Sequence, residues 1–240
     1  MNLIQQTIKN SLSISGVGLH TGKNVQVTFL AAPVFHGIKF QRVDLPDQPI
    51  IDADVDLVSN TARSSTIEKG AVKIVTVEHL LSAIAGLEID NILIQLDGEE
   101  LPILDGSAAP FVKTLKECGI ASQDQPREIF ELRQNIEFED PKTGAKLLAM
   151  PCDQFKVTVM IDYNSHIIGP QHASLEHIED FEKEIAPSRT FVFLHELEQL
   201  ANANLIKGGD VDNAIVLVDR MLDQSELDKL GVLFNKKDIR

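Results

Sequence analysis

Apolar residues recur at helical spacing between positions 77 and 87, and this stripe predicts an amphipathic helix. Its members are Val77, Leu80, Leu81, Ile84 and Leu87. At about 100° per residue, Glu78 and His79 fall on the other side of this helix. Both side chains are therefore free to face solvent or a cleft.

Short apolar runs bounded by turn residues predict strands in both halves of the chain. In the first half these are residues 12–16, 25–30, 37–42, 72–75 and 91–96, and a second helix follows Ser107 and ends at Gly119. In the second half, strands are predicted at 129–138, 145–150, 155–162 and 214–218, and helices at 176–185, 191–200 and 225–233. Strands and helices do not alternate strictly, which favours an α+β fold over a doubly wound sheet. The polar segment 122–127 is predicted to be a linker.

Composition and charge narrow the classes of function. The chain has 240 residues and a net charge of −14, and a field of that sign disfavours nucleic acid and anionic lipid as partners. No apolar run approaches the length of a membrane span, and the N-terminus lacks a secretory pattern, so we expect a cytoplasmic protein without stable membrane insertion. Cys118 and Cys152 make neither a disulfide framework nor a zinc ribbon, and both are predicted to be small core residues.

The adjacent Glu78 and His79 are the strongest candidates for chemistry. Histidine is a common metal ligand, and a carboxylate beside it can act as a base on a water molecule. The alternative is a solvated helix face, because the helix dipole alone favours glutamate in a first turn.

Three other segments carry weaker signals. Residues 16–22 are rich in glycine, which is typical of a phosphate cradle or of a sharp turn, and His20 is a candidate site residue there. The hydroxyl of Thr190 is suited either to stabilising an oxyanion or to capping a helix. Gly208 and Gly209 allow close backbone approach, although a helix terminator explains them equally well. The histidines at 166, 172, 177 and 195 are expected at the surface.

Five segments occur in the order typical of one family: residues 15–22, 76–80, 104–111, 188–191 and 208–209. Together they resemble the zinc-dependent UDP-3-O-acyl-N-acetylglucosamine deacetylases of lipid A biosynthesis. The resemblance implies an enzyme that hydrolyses the N-acetyl group of an acylated UDP-sugar. It implies two related two-layer α/β sandwich domains facing each other, here residues 1–124 and 128–240, with the second one incomplete.

The resemblance also assigns roles to individual residues. Glu78 is expected to be the general base, His79 a zinc ligand and Thr190 the residue that steadies the oxyanion. Phe191 is expected to contact the nucleotide-sugar, and Tyr163 lies where the family carries an aromatic residue near the nucleotide. The hydrophobic passage for the acyl chain is expected to include Leu19, Leu197, Ile206 and Gly209.

One departure from the family is clear in the sequence. The family's other two zinc ligands lie in a later His-Lys-x-x-Asp motif, followed by a histidine that acts as general acid, and these 240 residues contain neither. We therefore expect a piece of a longer protein that binds Zn²⁺ poorly by itself and has little activity. Some members of the family continue into a fused dehydratase domain. The alternatives are a non-catalytic binder of acyl nucleotide-sugar and a kinase-like enzyme that uses the loop at Gly16.

Overall fold

The computed structural model describes residues 3–202, 207–218 and 220–233. Up to residue 126 the elements are β1 (Ile4–Ile8), β2 (Leu12–Val17), β3 (Asn24–Ala31), β4 (Ile38–Arg42), β5 (Ile50–Asp52), β6 (Val58–Asn60), β7 (Thr66–Lys69), β8 (Val72–Val75), α1 (Glu78–Gly86), β9 (Ile92–Leu96), α2 (Ala109–Cys118) and β10 (Ile120–Pro126). They are followed by β11 (Ile136–Glu139), β12 (Lys146–Ala149), β13 (Val157–Ile161), β14 (Gln171–Leu175), α3 (Phe181–Glu184), β15 (Phe191–Phe193), α4 (Leu194–Asn202), β16 (Ile215–Leu217) and α5 (Gln224–Leu233).

A five-stranded sheet in the order β2-β3-β9-β4-β5 organises the first half. Strands β4 and β9 pair in parallel, and the other neighbours are antiparallel. Its inward side chains share one hydrophobic core with α1 and α2, where Phe29, Phe40, Leu80, Ile84 and Phe111 are almost fully buried. The predicted stripe on α1 is thereby confirmed, and burial of this apolar surface fixes which side of α1 faces the core.

Local sequence explains where α2 begins and ends. The Ser107 hydroxyl accepts a hydrogen bond from the Ala109 amide at 3.1 Å, and Pro110 lies in the first turn. Gly119 follows the last turn with a φ of 73°, a left-handed conformation that glycine adopts without steric cost.

The prediction of a linker at residues 122–127 is wrong. Most of this segment lies in β10, which pairs antiparallel with β1. The guanidinium of Arg127 then forms ion pairs with Glu88 and Asp90 at 3.1 and 2.7 Å, so the segment is held against the first half. A division into domains at 1–124 and 128–240 remains a proposal.

The second half contains two hairpins, β11–β12 and β13–β14, and a parallel pair, β15–β16. Several large side chains of the hairpins are exposed, among them Phe138 at 62% and Met160 at 79%. In contrast, Leu175, Phe181 and Ala186 are buried in the core of the first half, and they join the two halves of the chain.

Several boundaries in this half differ from the prediction. Of the predicted strand 129–138 only Ile136–Glu139 is regular, and of the predicted helix 176–185 only Phe181–Glu184 is α-helical, after a 3₁₀ turn at Ile178–Asp180. The predicted helix at 191–200 starts as strand β15, and β14 was not predicted at all. Cys152 is exposed, against the expectation of a core residue, while Cys118 is buried.

The mixture of several small sheets with helices confirms the α+β class. Within the described residues, no helix combines the length and the apolar character needed to cross a membrane.

Candidate functional site

Glu78 is the first residue of α1, and its side chain is half-buried. Its Oε2 atom accepts a hydrogen bond from the Ser65 amide at 3.0 Å. This contact holds the carboxylate in one orientation, while Oε1 makes no hydrogen bond within the described part of the chain. A fixed carboxylate with one open oxygen is suited to accept a proton from water.

His79 is also half-buried, so neither side chain of the pair is fully open to solvent. Burial lowers the pKa of His79, and the negative charges of Glu78 and Asp105 oppose this effect. Because desolvation disfavours the imidazolium, the neutral ring that can bind a metal is favoured. Helices α1 and α2 share one hydrophobic core, which brings the loop before α2, with Asp105, towards α1.

Thr190 is held beside that same loop. Its amide donates to the Gly106 carbonyl at 2.8 Å, and the Arg189 Nε atom donates to the Asp105 carbonyl at 2.7 Å. The Arg189 Nη2 atom also donates to the Asp212 carbonyl at 2.6 Å, which ties the 210–213 loop to the same point. We call Glu78, His79, Asp105 and Thr190 the site cluster.

The surroundings of Thr190 decide between the two roles that its sequence position allowed. Thr190 precedes strand β15 and not a helix, so a helix-capping role for it is wrong. Its hydroxyl makes no hydrogen bond among the described residues, which leaves it available to a ligand. Gly106 has no room for a side chain, because a Cβ there would meet the Asn213 carbonyl carbon at 2.9 Å and Thr190 Cγ2 at 3.3 Å.

The glycine-rich segment forms the turn between β2 and β3, as one of the two predictions had it. The Gly22 amide donates to the Gly18 carbonyl at 3.0 Å, and Gly22 has a φ of 66°. His20 is half-buried in this turn. The turn meets the second half at Leu19, whose carbonyl accepts from the Gly208 amide at 3.0 Å.

The absence of a side chain at Gly208 therefore lets its backbone lie close to that of residues 18 and 19. A Cβ at this position would lie 2.8 Å from Val17 Cγ1 and closer still to the Gly18 carbonyl oxygen. Leu19 thus contacts the residue that precedes Gly209, and both Leu19 and Gly209 are predicted members of the acyl passage. Leu197 is 3% exposed in a small core with Leu194. Ile206 lies outside the described residues.

Tyr163 and Phe191, predicted to bind the nucleotide-sugar, are in contact with each other. Their ring centroids are 5.2 Å apart with an edge-to-face geometry, and Phe193 lies 5.7 Å from Phe191. Tyr163 keeps 47% of its surface exposed. The three rings of Tyr163, Phe191 and Phe193 together form a partly exposed aromatic surface next to Thr190. Such a surface is suited to contact a planar ligand. The histidines at 166, 172, 177 and 195 are exposed, as predicted.

Several residues of this region have no role that the sequence indicates. Asp105 lies in the segment 104–111, to which the resemblance gives no individual role. Arg63 forms a two-pronged ion pair with Glu196 of α4, with the closer contact at 2.9 Å. The two residues are 133 positions apart, so nothing local in the sequence could have paired them.

The described residues do not complete a metal site. Within 3–202, 207–218 and 220–233, no three His, Cys, Asp or Glu side chains are grouped closely enough to hold an ion. A catalytic zinc usually takes three protein ligands. The described side chains alone therefore do not fit zinc, and His79 is a single candidate ligand.

Comparison with known proteins gives a consistent result. The family model of UDP-3-O-acyl N-acetylglycosamine deacetylase, LpxC, matches residues 5–229. The bifunctional enzyme LpxC/FabZ of Porphyromonas gingivalis is 46% identical over 227 residues, which are 95% of this chain and 49% of that protein. The enzyme of the same name from Bacteroides thetaiotaomicron is 47% identical over 229 residues, or 95% of this chain and 50% of that protein.

A shorter relative has a single activity in its name. The UDP-3-O-acyl-N-acetylglucosamine deacetylase of Methylococcus capsulatus is 44% identical over 216 residues, which are 89% of this chain and 70% of that protein. The chain thus spans about half the length of the bifunctional relatives and a larger share of the shorter one.

Proposed function

Because the chain belongs to the UDP-3-O-acyl N-acetylglycosamine deacetylase family, we propose that the protein that carries it is an amidohydrolase of lipid A biosynthesis. Its substrate is UDP-3-O-acyl-N-acetylglucosamine, and its products are acetate and the free amine. The observation that carries this proposal is the site cluster, in which a fixed carboxylate, an imidazole and an open hydroxyl lie on neighbouring elements.

The side chains of this chain divide the work of amide hydrolysis. Water attacks the carbonyl carbon of the acetamido group, and Glu78 takes the proton that the water loses. The Ser65 amide keeps the carboxylate pointed at that water through the hydrogen bond to Oε2. The Thr190 hydroxyl donates to the oxygen of the tetrahedral intermediate as negative charge develops there. The C–N bond then breaks, and the nitrogen leaves as the free amine with a proton that, by the family resemblance, a later histidine supplies.

The two ends of the substrate meet different surfaces. Phe191 and Tyr163 offer their aromatic rings to the nucleotide-sugar. Leu19, Leu197, Ile206 and Gly209 are proposed to line the passage for the acyl chain. The contact between Leu19 and Gly208 supports this grouping for two of the four, because Gly209 adjoins Gly208.

We also propose that the enzyme requires zinc, because the family it resembles is zinc-dependent. His79 is the zinc ligand that this chain would contribute. Since the described side chains provide no set of three ligands, the 240-residue chain is expected to retain well below one zinc per molecule after dialysis. Elemental analysis that finds one tightly held zinc per chain would contradict this expectation.

The test of the reaction is acetate release by the protein that carries this chain. We expect stoichiometric acetate and free amine from UDP-3-O-acyl-N-acetylglucosamine, and much slower release when the acyl chain is absent. Tight binding without any hydrolysis would support the non-catalytic alternative instead. That alternative is not favoured by the relatives, which are named as enzymes.

The proposal also includes a further domain in the complete protein and a location in the cell. The bifunctional names of two relatives support a fusion to a second catalytic domain in the complete protein. A cytoplasmic location is proposed from the same family membership.

A further inference from the structure

Glu100 is a buried carboxylate to which the proposed reaction gives no role. It is 2% exposed and lies just before the bridge between Gly18 and Pro102. Its Oε1 atom accepts hydrogen bonds from the His20 amide at 2.9 Å and from the Thr76 hydroxyl at 3.2 Å. Its Oε2 atom accepts from the Thr21 amide at 2.8 Å. A buried charge with this many donors is held in a single position.

Thr76, one of these donors, has an unusual backbone. It connects β8 to α1 with a φ of 60°, and it is 3% exposed. A β-branched residue rarely adopts a positive φ, and such strain persists only where the surroundings enforce it. The surroundings do so here, because the Val75 amide donates to the Glu99 carbonyl at 2.8 Å and the Leu101 amide donates to the Val75 carbonyl at 3.0 Å. Glu78 begins its helix two residues later.

The other donors belong to the β2–β3 turn. Gly18 packs so closely on Glu100 that a Cβ would lie 2.8 Å from the Glu100 Cδ atom and 2.6 Å from the Thr21 hydroxyl. The turn carries Leu19, and the Leu19 carbonyl contacts Gly208. One carboxylate thus connects the beginning of α1 to the loop that meets the second half.

We infer that Glu100 is a positioning residue that holds two parts of the proposed site in register through Thr76 and the amides of His20 and Thr21. Through Thr76 it fixes the backbone that leads into Glu78 and His79. Through the turn it fixes Leu19, a proposed member of the acyl passage. The effect on catalysis rests on the proposed function, whereas the effect on local structure does not.

Three variants separate this role from simple packing. Thr76→Val keeps the shape and β-branching but removes the hydroxyl, and Thr76→Ser keeps the hydroxyl as the matched control. Glu100→Gln keeps the size of the side chain but replaces one acceptor oxygen with a donor that faces an amide. Amide hydrogen exchange in residues 18–22 and 76–80 reports local opening, and kcat and KM report the two parts of the site.

We expect Thr76→Val and Glu100→Gln to speed exchange in both segments about tenfold, and Thr76→Ser to stay within about twofold of the parent. Thr76→Val should lower kcat about tenfold with KM almost unchanged, because it disturbs the backbone before Glu78. Glu100→Gln should lower kcat and also raise KM, because it releases the Leu19 turn as well.

Two outcomes overturn the inference. The first is equal exchange in Thr76→Val and Thr76→Ser. The second is faster exchange in Thr76→Val with an unchanged kcat. If the unmutated protein does not hydrolyse the substrate, the proposed function fails. The comparison of hydrogen exchange between the variants still decides whether Glu100 holds the two segments together.

Discussion

Replacing Gly86 with alanine should destabilise the protein, although alanine is the better helix former. Gly86 ends α1, where a change from glycine to alanine gains up to about 1 kcal/mol in helix propensity. A Cβ at this position, however, would lie within the ring of Phe181, with Cε1 only 2.5 Å away. Phe181 is 5% exposed and belongs to the core that joins the two halves, so its ring has little space to move into.

The magnitude follows from these two opposing effects. Overpacking costs about 1–3 kcal/mol, and a Cβ inside a buried ring belongs in the upper part of that range, at about 2–3 kcal/mol. After the propensity gain of about 1 kcal/mol is subtracted, Gly86→Ala should lower the free energy of unfolding by about 1–2 kcal/mol. Phe181→Ala alone should cost about 3–5 kcal/mol through lost burial and a cavity. In that background the added methyl group enters the cavity, and Gly86→Ala should become stabilising by up to about 1 kcal/mol.

Urea denaturation followed by far-ultraviolet circular dichroism measures this cycle. With an m-value of about 2–3 kcal/mol/M, the single change should lower the midpoint by about 0.3–1 M at constant m. The reversal of sign between the two backgrounds is the decisive result. If Gly86→Ala stabilised both backgrounds equally, α3 would not pack against α1 as described, and the placement of the second half on the first would be wrong.

The remaining predictions concern cysteine reactivity and pH. In the native protein only Cys152 of the two cysteines should react rapidly with Ellman's reagent, and both should react after denaturation. The reason is that Cys118 is buried and that burial raises the pKa of its thiol. Rapid reaction of both thiols in the native protein would refute this. Asp44→Asn should lower stability at pH 7 by about 0.5–1 kcal/mol, because the ion pair with Arg42 is partly exposed. The hydrogen bond from Arg42 lowers the pKa of Asp44, so the stabilisation is present above the ordinary aspartate value of 3.8 and is lost as the pH falls through the lowered pKa. If the difference in stability between the unchanged protein and Asp44→Asn were the same at neutral and at strongly acidic pH, the ion pair with Arg42 would be excluded as its cause.

Local patterns predicted much of the first half. The stripe from Val77 to Leu87 has the helical period, and alternation in β2 and β3 has the strand period, so burial of one face decides both. Strand β10 was missed because its polar side chains alternate with half-buried ones at the edge of a two-stranded sheet. Only its pairing with β1, more than 100 positions away, makes it a strand.

The second half shows why short segments are ambiguous. Phe191–Phe193 is a strand because it pairs in parallel with Ile215–Leu217. From the sequence alone, the apolar residues Leu194 and Leu197 fit a helical period. The predicted helix therefore also covers Phe191–Phe193, which precede Leu194. Tertiary pairing overrides such local preference in short apolar runs.

For the site, motifs indicated the residues that could carry chemistry but not the residues that hold them. Glu78, His79 and Thr190 were recognisable from their types and from the order of the segments. The Ser65 amide that orients Glu78 and the Glu100 carboxylate that binds Thr76 depend on contacts between distant segments. No pattern of residue types along the chain encodes such contacts.

The proposed reaction depends above all on Glu78 as the base in the hydrolysis of the acetamido group. The most direct test is the rate of acetate release from UDP-3-O-acyl-N-acetylglucosamine by the protein that carries this chain, with Glu78→Gln compared with Glu68→Gln, a change at an exposed position of β7. We predict that Glu78→Gln lowers kcat by about 10²-fold or more with substrate affinity retained, and that Glu68→Gln leaves kcat unchanged. Turnover by Glu78→Gln at the rate of the unchanged protein would mean that Glu78 is not the base.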